Sequence, residues 1–285
     1  MKTLKTTFLL TALTLLLLAL GQAFGGERGM TIALVFAVLM NGTAYFFSDK
    51  IALASSGAQP VSREQLPRLY EVMERLSGKA NLPMPKLYMI PQEAPNAFAT
   101  GRNPSHASVA VTQGLMELMD DEELEGVIAH ELSHVRNYDI LTSSIAATLA
   151  GAISWIASMG RWGMIFGGMG GGRDDEREGG GLAAVLMLFL APVAALLLQL
   201  GVSRQREYQA DASGAKMVGH PYGLIRALGK LGAYNKRIPM DVPPSTSALM
   251  IVAPLSAGQF LSSLFSTHPP LEDRIARLQA MTVTR

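Results

Sequence analysis

The ten residues from His130 to Asp139, HELSHVRNYD, constrain the chain most, because His130 and His134 stand four positions apart with Glu131 between them. On an α-helix, residues four apart lie one above the other, so both imidazoles can share one metal ion. The flanking sequence supports a helix here. Asp120 followed by Glu123 has the spacing of a capping box, and Asp120, Asp121, Glu122 and Glu123 crowd negative charge where a helix amino terminus favours it. Leu124, Val127, Ile128, Leu132 and Val135 recur at helical spacing on a core face, with His130 and His134 on its flank. Neutral imidazole suits zinc, and Glu131 then sits beside the fourth, water-filled position as a general base, which is a hydrolase signature. The blander reading, two surface or satisfied core histidines, needs a coincidence of spacing that the metal reading does not.

Composition matters next because it points to a lipid environment. Hydrophobic residues make up 49% of the 285 residues and charged residues only 16%, with a mean hydropathy of +0.24, all beyond what a soluble domain of this size shows. The net charge of +1 argues against a nucleic-acid partner, since no large basic field is available to displace phosphate counterions. There is no cysteine, so disulfides, thiolate catalysis and Cys-based zinc sites are excluded.

Lys2 and Lys5 precede an uncharged run from Thr6 to Gly26, long enough to span the hydrocarbon core. It also fits a cleaved signal peptide; a retained span is the favoured reading, because a second uncharged run, Met30 to Ser48, follows after only Glu27 and Arg28. Segment 1–48 is thus expected to be a transmembrane hairpin with both ends in the cytoplasm by the positive-inside rule. Segment 49–139 reads as a first cytoplasmic catalytic part. It has an amphipathic helix carrying Leu66, Leu69, Val72, Met73 and Leu76, with Pro67 in its first turn and Gly78 just past its end. Three β-like stretches follow, Lys86 to Ile90, Ala97 to Thr100 and Ser108 to Thr112, predicting a small antiparallel β-sheet in a mainly α protein. The last of these, with Val109 and Val111, could offer an open edge to an extended peptide or be paired on both sides; the sequence leaves the two even.

Segment 140–202 is expected to be a second apolar hairpin. It has a weakly apolar stretch at Ile140 to Gly160 with Trp155 and Trp162 near its end, a Gly-rich loop at 161–181, and a firmer span at Leu182 to Val202. Segment 203–285 reads as a second cytoplasmic catalytic part. It has a helix after Pro221 (Leu224, Ile225, Leu228, Leu231), an apolar stretch at Ala248 to Leu255, and a last helix after Pro270 with Ile275, Leu278 and Met281 inward.

A catalytic zinc needs three protein ligands. His106 and His220 read as surface polar residues. In SRQREYQADASG, Glu207 and Asp211 stand four apart and would share a helix face, one as a carboxylate ligand and the other orienting a histidine. Taken alone, such a pair beside Arg204 and Arg206 is more often a solvated face.

HELSHVRNYD, a pair of apolar spans, SRQREYQAD and THPPLEDRIARL, in that order, together with the amino-terminal hairpin, LPMPKLYMIP and NAFATGRNP, resemble the HtpX proteases. These are membrane-bound zinc metallopeptidases related to the CaaX prenyl proteases, and the match covers most of the chain. The resemblance implies an integral membrane, zincin-like metalloprotease. In it His130, His134 and Glu207 would bind one zinc ion per chain, and Glu131 would be the catalytic residue. It also implies a bacterial inner membrane, a cytoplasmic active site, and a role in quality control of damaged or misfolded membrane proteins during stress. If His134 and Glu207 bind one ion, the chain between them crosses the membrane an even number of times, so Ile140 to Gly160 and Leu182 to Val202 both span or neither does.

Further residues have possible supporting roles: His268, in the turn THPP, as a donor to a developing oxyanion; Asp139 and Asp211 orienting the ligand imidazoles; and Arg274 binding a carboxylate near the site. The expected partners are the lipid bilayer and membrane-protein or unfolded polypeptide substrates. The competing readings are a zinc-binding membrane scaffold without catalysis, which would tolerate loss of Glu131, and a prenyl-protein processing protease, which would require a lipid-modified substrate. A zinc transporter is disfavoured because the spans carry no ionisable residue.

Overall fold

The computed structural model describes residues 4–167, 203–235, 237, 242–252 and 268–283. Helix α1, Leu4–Ser55, is broken at Gly26, whose φ of 57° and ψ of −145° leave the helical region. That backbone is open to glycine and closed to most other residues. The two arms fold back on each other. Gly21 and Gly29 meet so closely that a Cβ on Gly21 would lie 2.6 Å from the Gly29 carbonyl oxygen, and the Asn41 amide donates to Thr14 Oγ1 at 2.8 Å across the pair. Thr6–Ala23 and Gly25–Ser55 are each long and apolar enough to cross a membrane. Their outward faces are bare, with Ile32 71% and Leu39 64% exposed; in water this stripe would drive aggregation, whereas in lipid it is an ordinary surface.

The sheet differs from the expected antiparallel one. Strands β1 (Gln59–Pro60), β2 (Lys86–Ile90), β3 (Ala97–Gly101) and β4 (Ala107–Thr112) lie in the order β1-β2-β4-β3. The β2–β4 pairing is parallel and the other two are antiparallel, so the sheet is mixed. The chain after β2 skips one strand position, and β4, buried along its whole length, returns into the gap. Val109 and Val111 are therefore not at an open edge: β4 is paired on both sides. The edge nearest the metal helix is β3.

Helix α2 (Pro67–Ala80) turns Leu69, Val72, Met73 and Leu76 inward as their spacing predicts. It runs through Gly78 and ends at Asn81, which takes the left-handed conformation (φ 52°) in place of the expected glycine stop. After the short α3 (Gln113–Leu118), α4 (Asp121–Asn137) crosses the middle of the core. Its capping box is present, with the Asp120 side chain accepting from the Glu123 N–H at 2.8 Å and the Glu123 carboxylate accepting from the Asp120 N–H at 2.9 Å. Tyr138, left-handed at φ 62°, ends α4. The chain restarts immediately as α5 (Asp139–Gly167), which continues helical past Gly160 into the first residues of the expected loop.

Helix α5 packs along the hairpin through Leu141, Ile145, Leu149 and Ile153 against Leu13 and Ala44. The rest of the Gly-rich loop and the run Leu182 to Val202 lie outside the described residues, as do the side chains of Trp155 and Trp162. Helices α6 (Arg204–Val218) and α7 (Tyr222–Asn235) pack along α4. A Cβ on Gly214 would lie 3.0 Å from the His130 amide nitrogen, so α6 approaches α4 this closely only with glycine there. A short turn α8 (Pro244–Ser247) and the last helix α9 (Leu271–Val283) complete the described fold.

Candidate metal centre

His130 and His134 leave α4 on one side, and Glu207, in the first turn of α6, meets them. His130 Nε2 lies 3.2 Å from His134 Nε2, and the two are 3.5 Å from Glu207 Oε2 and Oε1 respectively. Metal–ligand bonds of 2.0–2.1 Å in a tetrahedral site set donor atoms about 3.3 Å apart, so the three side chains stand at the separations a shared ion requires. Among the described residues Glu207 Oε2 is buried with no hydrogen-bond partner, a costly state that a metal relieves. The donor set of two imidazoles and a carboxylate thus fits a divalent ion.

Behind the donors lies a second layer. His130 Nδ1 is 2.9 Å from Asp211 Oδ1, which leaves Nε2 facing Glu207 and His134. His134 Nδ1 is 3.4 Å from Asp139 Oδ2, a contact made possible by the left-handed Tyr138 that aims the start of α5 back at α4. Arg274 of α9 is fully buried and grips Asp211 with two bonds, Nε at 2.8 Å and Nη2 at 2.6 Å. Arg206, which the sequence offers only as a neighbouring charge, lies 3.8 Å from Asp139 Oδ1. His268 Nδ1 is 3.6 Å from Glu207 Oε2, and neither ring nitrogen has a hydrogen-bond partner among the described residues.

Burial and charge act against each other throughout this cluster. Burial pushes the Glu131 carboxyl above its ordinary range, with His130 and His134 only partly offsetting it, and the Ala99 backbone N–H bonds it from the edge of β3. Burial would raise Glu207 too, but His134, His130 and His268 hold it well below the usual carboxylate range. Asp211 is likewise lowered: burial opposes, while the Arg274 charge and hydrogen bonds and the His130 bond prevail. For His130, burial favours the neutral ring, yet Asp211 and Glu207 raise it to about 9. An imidazole that retains its proton to this pH must give it up on ligating a metal.

The fold therefore gathers His130, Glu131, His134, Asp139, Glu207, Asp211, His268 and Arg274, while Val109 and Val111 stay in the sheet interior. Two residues escaped the sequence reading. Asn96, beside β3, places its side chain against residue 252; NAFATG marks it only as a turn. Gly214 shows no signal beyond being a glycine inside a helix.

A model of peptidase family M48 matches residues 63–282. Among similar proteins, the protease HtpX homolog of Desulfatibacillum aliphaticivorans is 58% identical over 96% of this chain and 88% of its own length. The protease HtpX homolog of Syntrophobacter fumaroxidans is 53% identical over 97% of this chain and 98% of its own. The crystal structure of S. mikatae Ste24p aligns with a TM-score of 0.52 and 22% identity, over 97% of this chain and 64% of that one, a likeness of fold.

Proposed function

The chain belongs to peptidase family M48 and is a membrane metalloprotease, and from that premise we propose that it is a zinc-dependent endopeptidase of the bacterial inner membrane. Its substrates on this reading are damaged or misfolded membrane proteins, cleaved as part of a stress response. The observation that carries the reading is the meeting of His130, His134 and Glu207 within a few ångströms, with buried Glu131 beside them. His130, His134 and Glu207 are assigned as the zinc ligands. In this topology 1–48 form a membrane hairpin, 140–160 and 182–202 either both span or both lie at the interface with 161–181 as the loop between them, and 49–139 and 203–285 form the two parts of a catalytic body facing the cytoplasm.

Bound zinc would supply a Lewis acid for the scissile carbonyl and a water acidified toward a pKa of about 7. Glu131 takes the proton of the attacking water at its carboxylate and returns it to the leaving amine. Burial raises its pKa above the ordinary carboxylate range, the direction that favours a group which must hold a proton as well as take one. His268 donates a ring N–H to the developing oxyanion from its place in the wall of the cavity beside Glu207. Asp211 and Asp139 hold the outer nitrogens of His130 and His134, and Arg274 braces Asp211. The same carboxylates and arginine fix the site before substrate arrives.

The test is cleavage of an unmodified membrane protein by the purified chain in detergent, comparing wild type with Glu131→Gln at matched zinc content. Cleavage lost with zinc retained supports the reading. Equal cleavage by both points to a different mechanism, and activity confined to lipid-modified carboxy-terminal substrates points to a prenyl-protein processing protease.

A further inference from the structure

An extended substrate adds to a sheet edge through main-chain hydrogen bonds, so it needs free acceptors and donors along β3 and beside it. In this structure residues 251 and 252 of the chain itself use them. The Ile251 N–H donates to the Ala97 carbonyl of β3 at 2.9 Å. The Ile251 carbonyl accepts from Arg274 Nη1 at 2.8 Å. Asn96 holds residue 252 from both sides, its Nδ2 donating to the Val252 carbonyl at 2.8 Å and its Oδ1 facing the Val252 N–H at 3.4 Å. One main-chain bond to β3, with side-chain bonds from Asn96 and Arg274, thus takes up polar groups that an added strand would use.

The same segment closes the space above the metal donors. Ala248, Leu249, Met250 and Ile251 line a cavity shared with Glu131, His134 and His268 that holds about 20 Å³, room for a single water. No peptide fits there while the segment is in place. Met250 is buried among Ala52 and Leu53 at the end of the membrane hairpin and Phe98 of β3, and Thr246 just before it shares a hydrogen bond with Ser55 at 2.8 Å. Ile251 and Val252 are buried in the main core and Ala248 against the hairpin and α5, and a tethered segment competes at the effective concentration of a short linker, in the millimolar range.

Resting on the peptidase reading above, we propose that residues 248–252 form a self-blocking strap that occupies the place of substrate main chain on β3. The strap is displaced by an extended, unfolded polypeptide that offers the same backbone groups. A folded protein offers no free strand and leaves the strap in place. This device confines cleavage to chains already unfolded, and it sits against the end of the membrane hairpin.

The experiment follows deuterium uptake by the segment 248–252 in full-length, zinc-loaded Glu131→Gln protein in detergent, with and without a reduced, alkylated polypeptide that wild type is shown in parallel to cleave. Slow uptake alone and at least about tenfold faster uptake with the polypeptide support the strap. Uptake that stays unchanged or slows with a polypeptide that wild type cleaves overturns the strap and leaves the peptidase reading standing. Failure of zinc-loaded wild type to cleave any unfolded chain overturns the peptidase reading itself. Ile251→Pro, which removes the N–H held by Ala97, gives the second measurement. If the open form is about a tenth of the population, KM for the polypeptide falls about tenfold. An unchanged KM in this folded variant overturns the proposal.

Discussion

At the amino end of α4, Asp120 and Glu123 cap each other, Lys230 reaches the Glu123 carboxylate at 2.6 Å, and Arg226 reaches Glu122 at 2.8 Å. At its other end His130, Glu131 and His134 meet Glu207, Asp211, Arg274 and His268. Both clusters put acids and bases on the same helix and against the following helices. The first closes on itself: every buried polar atom of Glu123 has a partner, and Arg226 and Lys230 remain partly in water. The second is buried, yet among the described residues Glu207 Oε2 and both nitrogens of His268 have no hydrogen-bond partner. Self-satisfied charge at a helix start is what stability asks for. Buried charge that stays unsatisfied is tolerated only where something else is to be bound.

The largest effect that separates the two ends is catalytic. Glu131→Gln is expected to lower kcat by about 10²–10⁴-fold, the range of a lost general base, with bound zinc unchanged by elemental analysis. Zinc lost in proportion to activity would instead make Glu131 a ligand and break the assignment of Glu207. No substitution among Asp120, Glu122 and Arg226 should change kcat measurably.

The next contrast is in stability. Arg274→Leu strips the buried Asp211 of its partner and should cost about 3–5 kcal/mol in denaturant unfolding, as for other buried pairs broken on one side. Arg226→Leu at the solvated end should cost no more than about 1 kcal/mol. Similar costs for the two would mean that the buried pair is no more committed than the exposed one. Between these lies Asp211→Asn, which keeps the shape of the side chain and removes its charge. Zinc affinity, read by chelator competition, should fall about 10–100-fold, because His130 loses the carboxylate that orients it and raises its basicity.

What could be read in advance follows the same divide. The start of α4, its core face, the hairpin and the helices after Pro221 and Pro270 depend on local spacing and caps, and local patterns report them. Glu207 and Asp211 were legible as candidates from their four-residue spacing, with the ligand role of Glu207 implied by the family resemblance, and His268 and Arg274 only as supporting residues; the mutual distances of the four were not legible. Strand order was illegible: SVAVT shows that β4 is buried but not which neighbours it has, and a central strand and a covered edge have the same composition. Ala248 to Val252 read only as an apolar stretch. Its main chain, on which the bonds to Ala97, Asn96 and Arg274 depend, carries no residue-type signal at all. Gly78 failed as a stop because the left-handed cap fell on Asn81, which tolerates that conformation nearly as well.

The smallest effect concerns the cap alone. Asp120 has its carboxyl below the ordinary range, chiefly because the Glu123 backbone N–H bonds the ionised form, opposed by slight burial and helped by Arg226. A carboxylate with a folded-state pKa below its unfolded value stabilises the fold above that unfolded value, and the contribution is lost as pH falls through the folded one. Asp120→Ala should therefore cost about 1 kcal/mol at neutral pH, the usual value of a lost amino-terminal cap. The gap between variant and wild type in thermal unfolding should narrow as pH drops below about 4. Zinc affinity and kcat should stay as in wild type, since the residues they depend on lie two or more turns along the helix. A gap that persists unchanged into acid would show that the cap works through the neutral side chain's hydrogen bond, with charge contributing nothing at this end of α4. A fall in zinc affinity would show that the amino-terminal turn holds the two histidines in register, joining the two ends of the helix into one unit.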